Sequence, residues 1–124
     1  HEFVVFLELK TDSMEVVFDN GHFHPNPQEK ASEFFRRLME NMIHPLDQKR
    51  FSSYEKLTEL PNKIEETRQG FLSGYFRIKN PCGGYTWKLF LAMDGSVGAN
   101  RVMVSVRDAD YAMQPMLNEK YGKE

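Results

Sequence analysis

At 124 residues the chain fits one domain with its own core and is too short for two ordinary ones. Its 40% hydrophobic and 27% charged residues are those of a soluble globular protein, and no apolar run nears the roughly 20 residues of a membrane helix, so no transmembrane segment is expected. A net charge of −2 with scattered basic residues gives no pull on nucleic acid, and a single cysteine, Cys82, rules out an internal disulfide.

The chain opens abruptly in strand-like sequence, which leads us to expect a fragment of a longer, cytoplasmic protein. Phe3, Val5, Leu7 and Leu9 fall on one face of a first strand, and Thr11-Asp12-Ser13 supplies turn chemistry. Met14, Val16 and Phe18 form the next alternating row before Asp19-Asn20-Gly21 ends it. A loop carrying His22 and His24 runs to Pro27.

From Gln28 the period changes. Ala31, Phe34, Phe35, Leu38, Met39, Met42 and Ile43 recur at three- and four-residue spacing, the mark of an amphipathic helix. In His44-Pro45-Leu46-Asp47, proline suits the first turn of a new helix and Asp47 sets negative charge near that helix's positive end, with His44 as a cap. This second helix runs through Phe51, Tyr54 and Leu57, and Pro61 starts a short third one over Asn62 to Gln69.

Three strands follow. Phe71 to Lys79 ends at Asn80-Pro81-Cys82-Gly83-Gly84, a hairpin turn by composition. Leu72, Gly74, Phe76 and Ile78 should face the helices. In the next strand Tyr85, Trp87, Leu89 and Leu91 share one face while Phe90 and Ala92 share the other, so neither side looks solvated. That face predicts a cover from outside the fragment or from a second protomer, with Tyr85, Trp87 and Leu89 as interface candidates and a homodimer as the expected assembly. After the loop Asp94 to Ala99, Arg101 to Arg107 sets valines at alternate positions. The order of two strands, several helices and three strands is α+β.

No pattern supports catalysis. His22 and His24 with Asp19 and Glu29 fit a solvated loop better than a metal site, and no metal is assigned. Cys82 sits in a turn without a partner base, the Glu65-Glu66 and Asp108/Asp110 pairs suit solvated helix positions, and the glycine-rich turns lack the context of a phosphate loop. Catalytic residues are therefore none.

The ensemble of the hairpin Gly74 to Met93, its Tyr85-x-Trp87 strand, the last strand ending in Val106-Arg107-Asp108-Ala109-Asp110 and the His44-Pro45-x-Asp47 segment resembles the PAS domain family. The resemblance covers Phe3 to Asp110. It implies a five-stranded antiparallel sheet with helices on one face between strands 2 and 3, the first strand central beside the last, a PAS-like sensor over 1–110 and the start of a C-terminal linker or signalling helix over 111–124. It also implies a non-catalytic sensory role regulating an output domain of the same chain, such as a diguanylate cyclase, a phosphodiesterase or a histidine kinase. Haem and flavin are disfavoured, because the His and Cys of those subfamilies are missing at matching positions. A small apolar ligand is expected instead, near Phe34, Phe35, Met39, Phe51, Tyr54, Phe76 and Met103. Asp108 and Asp110 are the expected output residues, as caps of an exit helix with an apolar stripe of Ala112, Met113, Met116 and Leu117. Pro115 argues against one unbroken helix from Asp110. An NTF2-like binding protein or enzyme and a purely structural dimerisation module are the alternatives.

Overall fold

The computed structural model describes residues 2–95 and 100–122. Part of the Asp94 to Ala99 loop, and residues 123–124 of the expected C-terminal segment, lie outside them. Five strands form one antiparallel sheet: β1 (Phe3–Glu8), β2 (Ser13–Asp19), β3 (Phe71–Lys79), β4 (Tyr85–Asp94) and β5 (Arg101–Asp108), in the order β2-β1-β5-β4-β3. The first strand is central beside the last, with Phe3 opposite Val106 and Leu7 opposite Val102, as expected for a PAS-like sheet.

Between β2 and β3 lie α1 (Ala31–Asn41), α2 (Gln48–Glu55) and α3 (Leu60–Glu66), with short 3-10 turns at Pro45–Asp47 and Leu57–Glu59. The third helix thus ends three residues before Gln69, where Thr67 turns extended. Strand alternation places Val5, Leu7, Val102, Val104, Phe90, Phe76 and Ile78 on one buried face, against Phe34, Phe35, Leu38, Phe51 and Leu60 of the helices. A fully buried side chain of this size contributes about 1.5 to 3 kcal/mol, so this layer carries most of the hydrophobic stabilisation.

Asp12 does more than turn the chain. Held at φ +52°, it accepts the Ser32 N–H at 2.8 Å and the Ser32 hydroxyl, and its carbonyl accepts the Ala31 N–H at 3.1 Å. It thereby satisfies free donors at the first turn of α1, where Lys30 has no side chain able to do so.

The α1–α2 connection lies along the outer edge of β3. Ile43 bridges to Ile78, the His44 N–H donates to the Arg77 carbonyl at 2.9 Å, and the Lys79 N–H donates to the Met42 carbonyl at 2.8 Å. This covers part of an otherwise open sheet edge. It also brings Asp47 over Arg77.

A fourth helix, α4 (Gln114–Tyr121), follows a 3-10 turn at Tyr111–Met113 and folds back onto the sheet face opposite α1–α3. Its Met113, Leu117 and Tyr121 pack with Tyr75, Trp87 and Ala109. The cover expected from outside the fragment, or from a second protomer, is at this end of the face supplied by the chain itself.

Candidate functional site: a buried Asp47–Arg77 cluster beneath the C-terminal helix

Asp47 is fully buried and Arg77 is 3% exposed. The carboxylate accepts from Arg77 at three points: the backbone N–H at 2.7 Å and Nε at 3.0 Å on Oδ2, and Nη2 at 2.8 Å on Oδ1. Arg50, one helical turn on, donates from Nη2 to Oδ1 at 2.7 Å and from Nη1 to the Tyr75 carbonyl at 2.7 Å. Burial alone would raise the Asp47 carboxyl, but the Arg77 hydrogen bonds and the two guanidinium charges outweigh it and hold the group below the ordinary aspartate value.

Two guanidinium groups face one carboxylate, which leaves a positive excess. α4 answers it. Arg77 Nη1 donates to the Gly122 carbonyl at 2.6 Å and Nη2 to the Tyr121 carbonyl at 3.2 Å. These are free carbonyls at the negative end of the helix dipole, where a cation is favoured. The Arg50 guanidinium stacks 3.7 Å from the Tyr121 ring centroid, and that of Arg77 lies 4.5 Å from Trp87. Trp87 Nε1 donates to Asn118 Oδ1 at 3.0 Å, and the Tyr75 hydroxyl reaches Met113 Sδ at 3.3 Å. One polar cluster therefore ties the helical layer, β3, β4 and the C-terminal helix together.

The residues read from the sequence take these places around the cluster. Asp47 does stand at the N-terminus of α2, where its negative charge was expected, and both its oxygens are occupied by arginines. His44 does cap, its Nδ1 accepting the Leu46 N–H at 3.0 Å. Trp87 is buried under α4, and Leu89 is also largely buried. Tyr85 is half-buried, its ring 4.5 Å from that of His44.

The two output candidates separate. Asp110 caps the Tyr111–Met113 turn, its Oδ1 accepting the Ala112 N–H at 3.1 Å. Asp108 caps nothing: it pairs with the buried Lys88 at 2.6 Å, and Lys88 also holds Glu2. The Lys88 hydrogen bond holds the Asp108 carboxyl below its ordinary value despite partial burial.

The ligand candidates separate as well. Phe34, Phe35, Phe51, Tyr54 and Phe76 are buried, with Met39 beside them, and the rings pack on one another. Phe51 sits 5.1 Å from Phe76 and 5.4 Å from Phe90, both edge-on, while Tyr54 donates to the Phe90 carbonyl at 3.2 Å. Met103 stands apart, because period-two alternation turns Val102 and Val104 to the helices and sends Met103 to the opposite face.

Sequence reasoning missed Arg77 and Arg50. One signal was available: the Asn80–Gly84 turn fixes Lys79 opposite Tyr85, hence Arg77 opposite Trp87, an arginine–indole pair across two strands.

In overall structure the chain is similar to the N-terminal domain of a diguanylate cyclase with PAS/PAC sensor from Marinobacter aquaeolei. That likeness has a TM-score of 0.52 at 13% identity, covering 86% of this chain and 93% of the other. No family model matches the chain, and no curated protein matches it in sequence. The fold is thus PAS-like and α+β, with one five-stranded antiparallel sheet.

Proposed function

We propose that this chain is a non-catalytic, PAS-like sensory domain that regulates an output domain following it in the same protein. The carrying observation is the bond path from the helical layer to the C-terminal helix: Asp47 orients Arg77, and Arg77 holds the carbonyls of Tyr121 and Gly122. A shift of α2 by a few tenths of an ångström would change these hydrogen bonds and so bias the position of α4. The likeness to the N-terminal domain of a diguanylate cyclase with PAS/PAC sensor supports this reading and makes cyclic-dinucleotide turnover the first output to assay, with histidine kinase activity second.

Of the two inputs expected from sequence, a small apolar ligand and a second copy of the chain, the second has more support. The rings named for the ligand pack edge-on against one another beneath the helices. The purified domain is expected to carry neither haem nor flavin, so a visible absorption band surviving dialysis would count against this assignment.

The test is made in the full-length protein. Leu117→Ala with Asn118→Ala loosens α4 without touching Asp47, and output activity should shift relative to wild type. Unchanged regulation in that double variant would show that the signal does not leave through α4.

A further inference from the structure

β2 ends in Asp19-Asn20-Gly21-His22, and these residues are arranged for more than a change of direction. The Asn20 N–H donates to the Glu2 carbonyl at 2.9 Å, and beyond the turn Phe23 is buried with its ring 4.9 Å from that of Phe3. His22 Nε2 lies 3.2 Å from the Lys79 carbonyl. Both ends of the turn are therefore held, while Asn20 and Gly21 between them are exposed. Gly21 has φ +97°, and a Cβ there would meet nothing within 4 Å. With no side chain in the way, the Gly21 nitrogen is open to the Asn20 carboxamide beside it.

Two hydrogen bonds act on the atoms of that approach. The Gly21 N–H donates to Asp19 Oδ1 at 2.9 Å, so a carboxylate sits on the proton that the nitrogen must lose in order to attack. The His22 N–H donates to Asn20 Oδ1 at 3.0 Å, so a backbone donor sits on the oxygen where negative charge develops. A base, an electrophilic carbonyl, a nucleophile and an oxyanion donor thus fall on four consecutive residues, held together by the fold. Asn26 is the contrast within the same loop, because it precedes Pro27, whose nitrogen carries no proton to give up.

We propose that Asn20 is a self-modification site, cyclised onto Gly21 with Asp19 as the base. The Gly21 nitrogen bonds to Asn20 Cγ and closes a succinimide. Its proton passes to Asp19 and on to the side-chain nitrogen of Asn20, which leaves as ammonia as the Cγ–Nδ2 bond breaks. Water then opens the ring at either carbonyl: breaking the bond from Cγ to nitrogen gives aspartate, and breaking the bond from the backbone carbonyl carbon to nitrogen gives isoaspartate. Water is consumed, ammonia is released, and nothing is oxidised or reduced. Either product sets a new carboxylate at the end of β2. Isoaspartate also adds a carbon to the backbone next to the N–H that holds Glu2, the residue whose side chain pairs with buried Lys88. The change runs one way and accumulates with time.

Peptide mapping by mass spectrometry, after the folded chain has stood in neutral buffer, tests the proposal. Trypsin releases residues 11–30 as one peptide that carries both Asn20 and Asn26. Asn20 is expected to convert to aspartate and isoaspartate through a species that has lost ammonia, while Asn26 stays intact. Asp19→Asn should slow the conversion about tenfold or more, the loss expected for a positioned general base, with far-UV circular dichroism unchanged. The wild-type chain unfolded in urea gives an arm free of any substitution, and conversion should be slower there because Asp19 and the His22 N–H are no longer in place. An Asn20 that stays intact in the folded chain overturns the proposal. So does a folded chain that converts no faster than the unfolded one, or a folded Asp19→Asn variant that keeps the wild-type rate.

Discussion

Asp47 and Arg77 lie thirty residues apart in sequence and meet through three hydrogen bonds of 2.7 to 3.0 Å, two from the guanidinium and one from the backbone. Neither is exposed to solvent by more than 3%. Removing one partner of such a pair strands the other's charge in the interior. We therefore expect Asp47→Ala to cost about 3 to 5 kcal/mol in urea unfolding, whereas Arg36, in an exposed pair with Glu55 at 3.5 Å, should cost under about 1 kcal/mol on truncation.

The same pair sets an acid limit. Because the folded Asp47 carboxyl lies below its unfolded value of about 3.8, its contribution is complete above that pH and is lost as pH falls through the lower folded value. Wild-type stability should drop steeply below about pH 4. Asp47→Asn should flatten that part of the profile, and an equally steep fall in the variant would assign the acid sensitivity to other carboxylates.

Docking of α4 has a built-in reporter, since Trp87 is the only tryptophan and lies beneath Leu117. Leu117→Asp should shift Trp87 emission to longer wavelength and speed tryptic cleavage after Lys120, while far-UV circular dichroism keeps its sheet signal. Unshifted emission would mean that α4 does not shield the indole in solution.

Gly74 is required by close packing. A Cβ there would lie 2.7 Å from Phe76 Cε2 and 2.9 Å from Phe76 Cζ, inside the ring cluster of Phe51, Tyr54 and Phe90. Gly74→Ala should cost about 1 to 3 kcal/mol, as overpacking does. Relief by Phe76→Leu in the same chain would confirm the cause; equal stability of Gly74→Ala and wild type would refute it.

Asp108 and Asp110 should differ on substitution. Asp110→Ala removes a helix-turn cap worth about 0.5 to 2 kcal/mol, an effect confined to the exit segment. Asp108→Asn alone should be mild, because Glu2 still pairs with Lys88. Glu2→Gln with Asp108→Asn leaves the buried ammonium without an anion, so a double-mutant cycle should show a loss larger than the sum of the two. Additivity would mean that the two carboxylates act on Lys88 independently.

Much of the fold was legible from local patterns. Period-two rows set the strands, three- and four-residue spacing set α1, and Asn80–Gly84 set the β3–β4 hairpin together with its register. The central place of β1 beside β5 came from the family resemblance, since pairing of strands distant in sequence leaves no local trace. Alternation also put Leu72, Gly74, Phe76 and Ile78 on the helix side correctly, yet Met103 was grouped with that side although the same rule sends it to the other.

The candidate site was decided only by tertiary structure. Asp47 sits where a helix cap is ordinary, and Arg77 sits in the row that reads as outward-facing; nothing local says that they meet. They meet because the Ile43–His44 segment docks on the β3 edge and carries Asp47 across it. Likewise the apolar residues after Asp110 read as a helix leaving the domain, but free carbonyls at its end and a surplus of positive charge beneath it draw α4 back onto Trp87. Sequence periodicity records which side of an element is apolar; which polar groups neutralise one another is settled only when distant segments are packed together and must be satisfied without water.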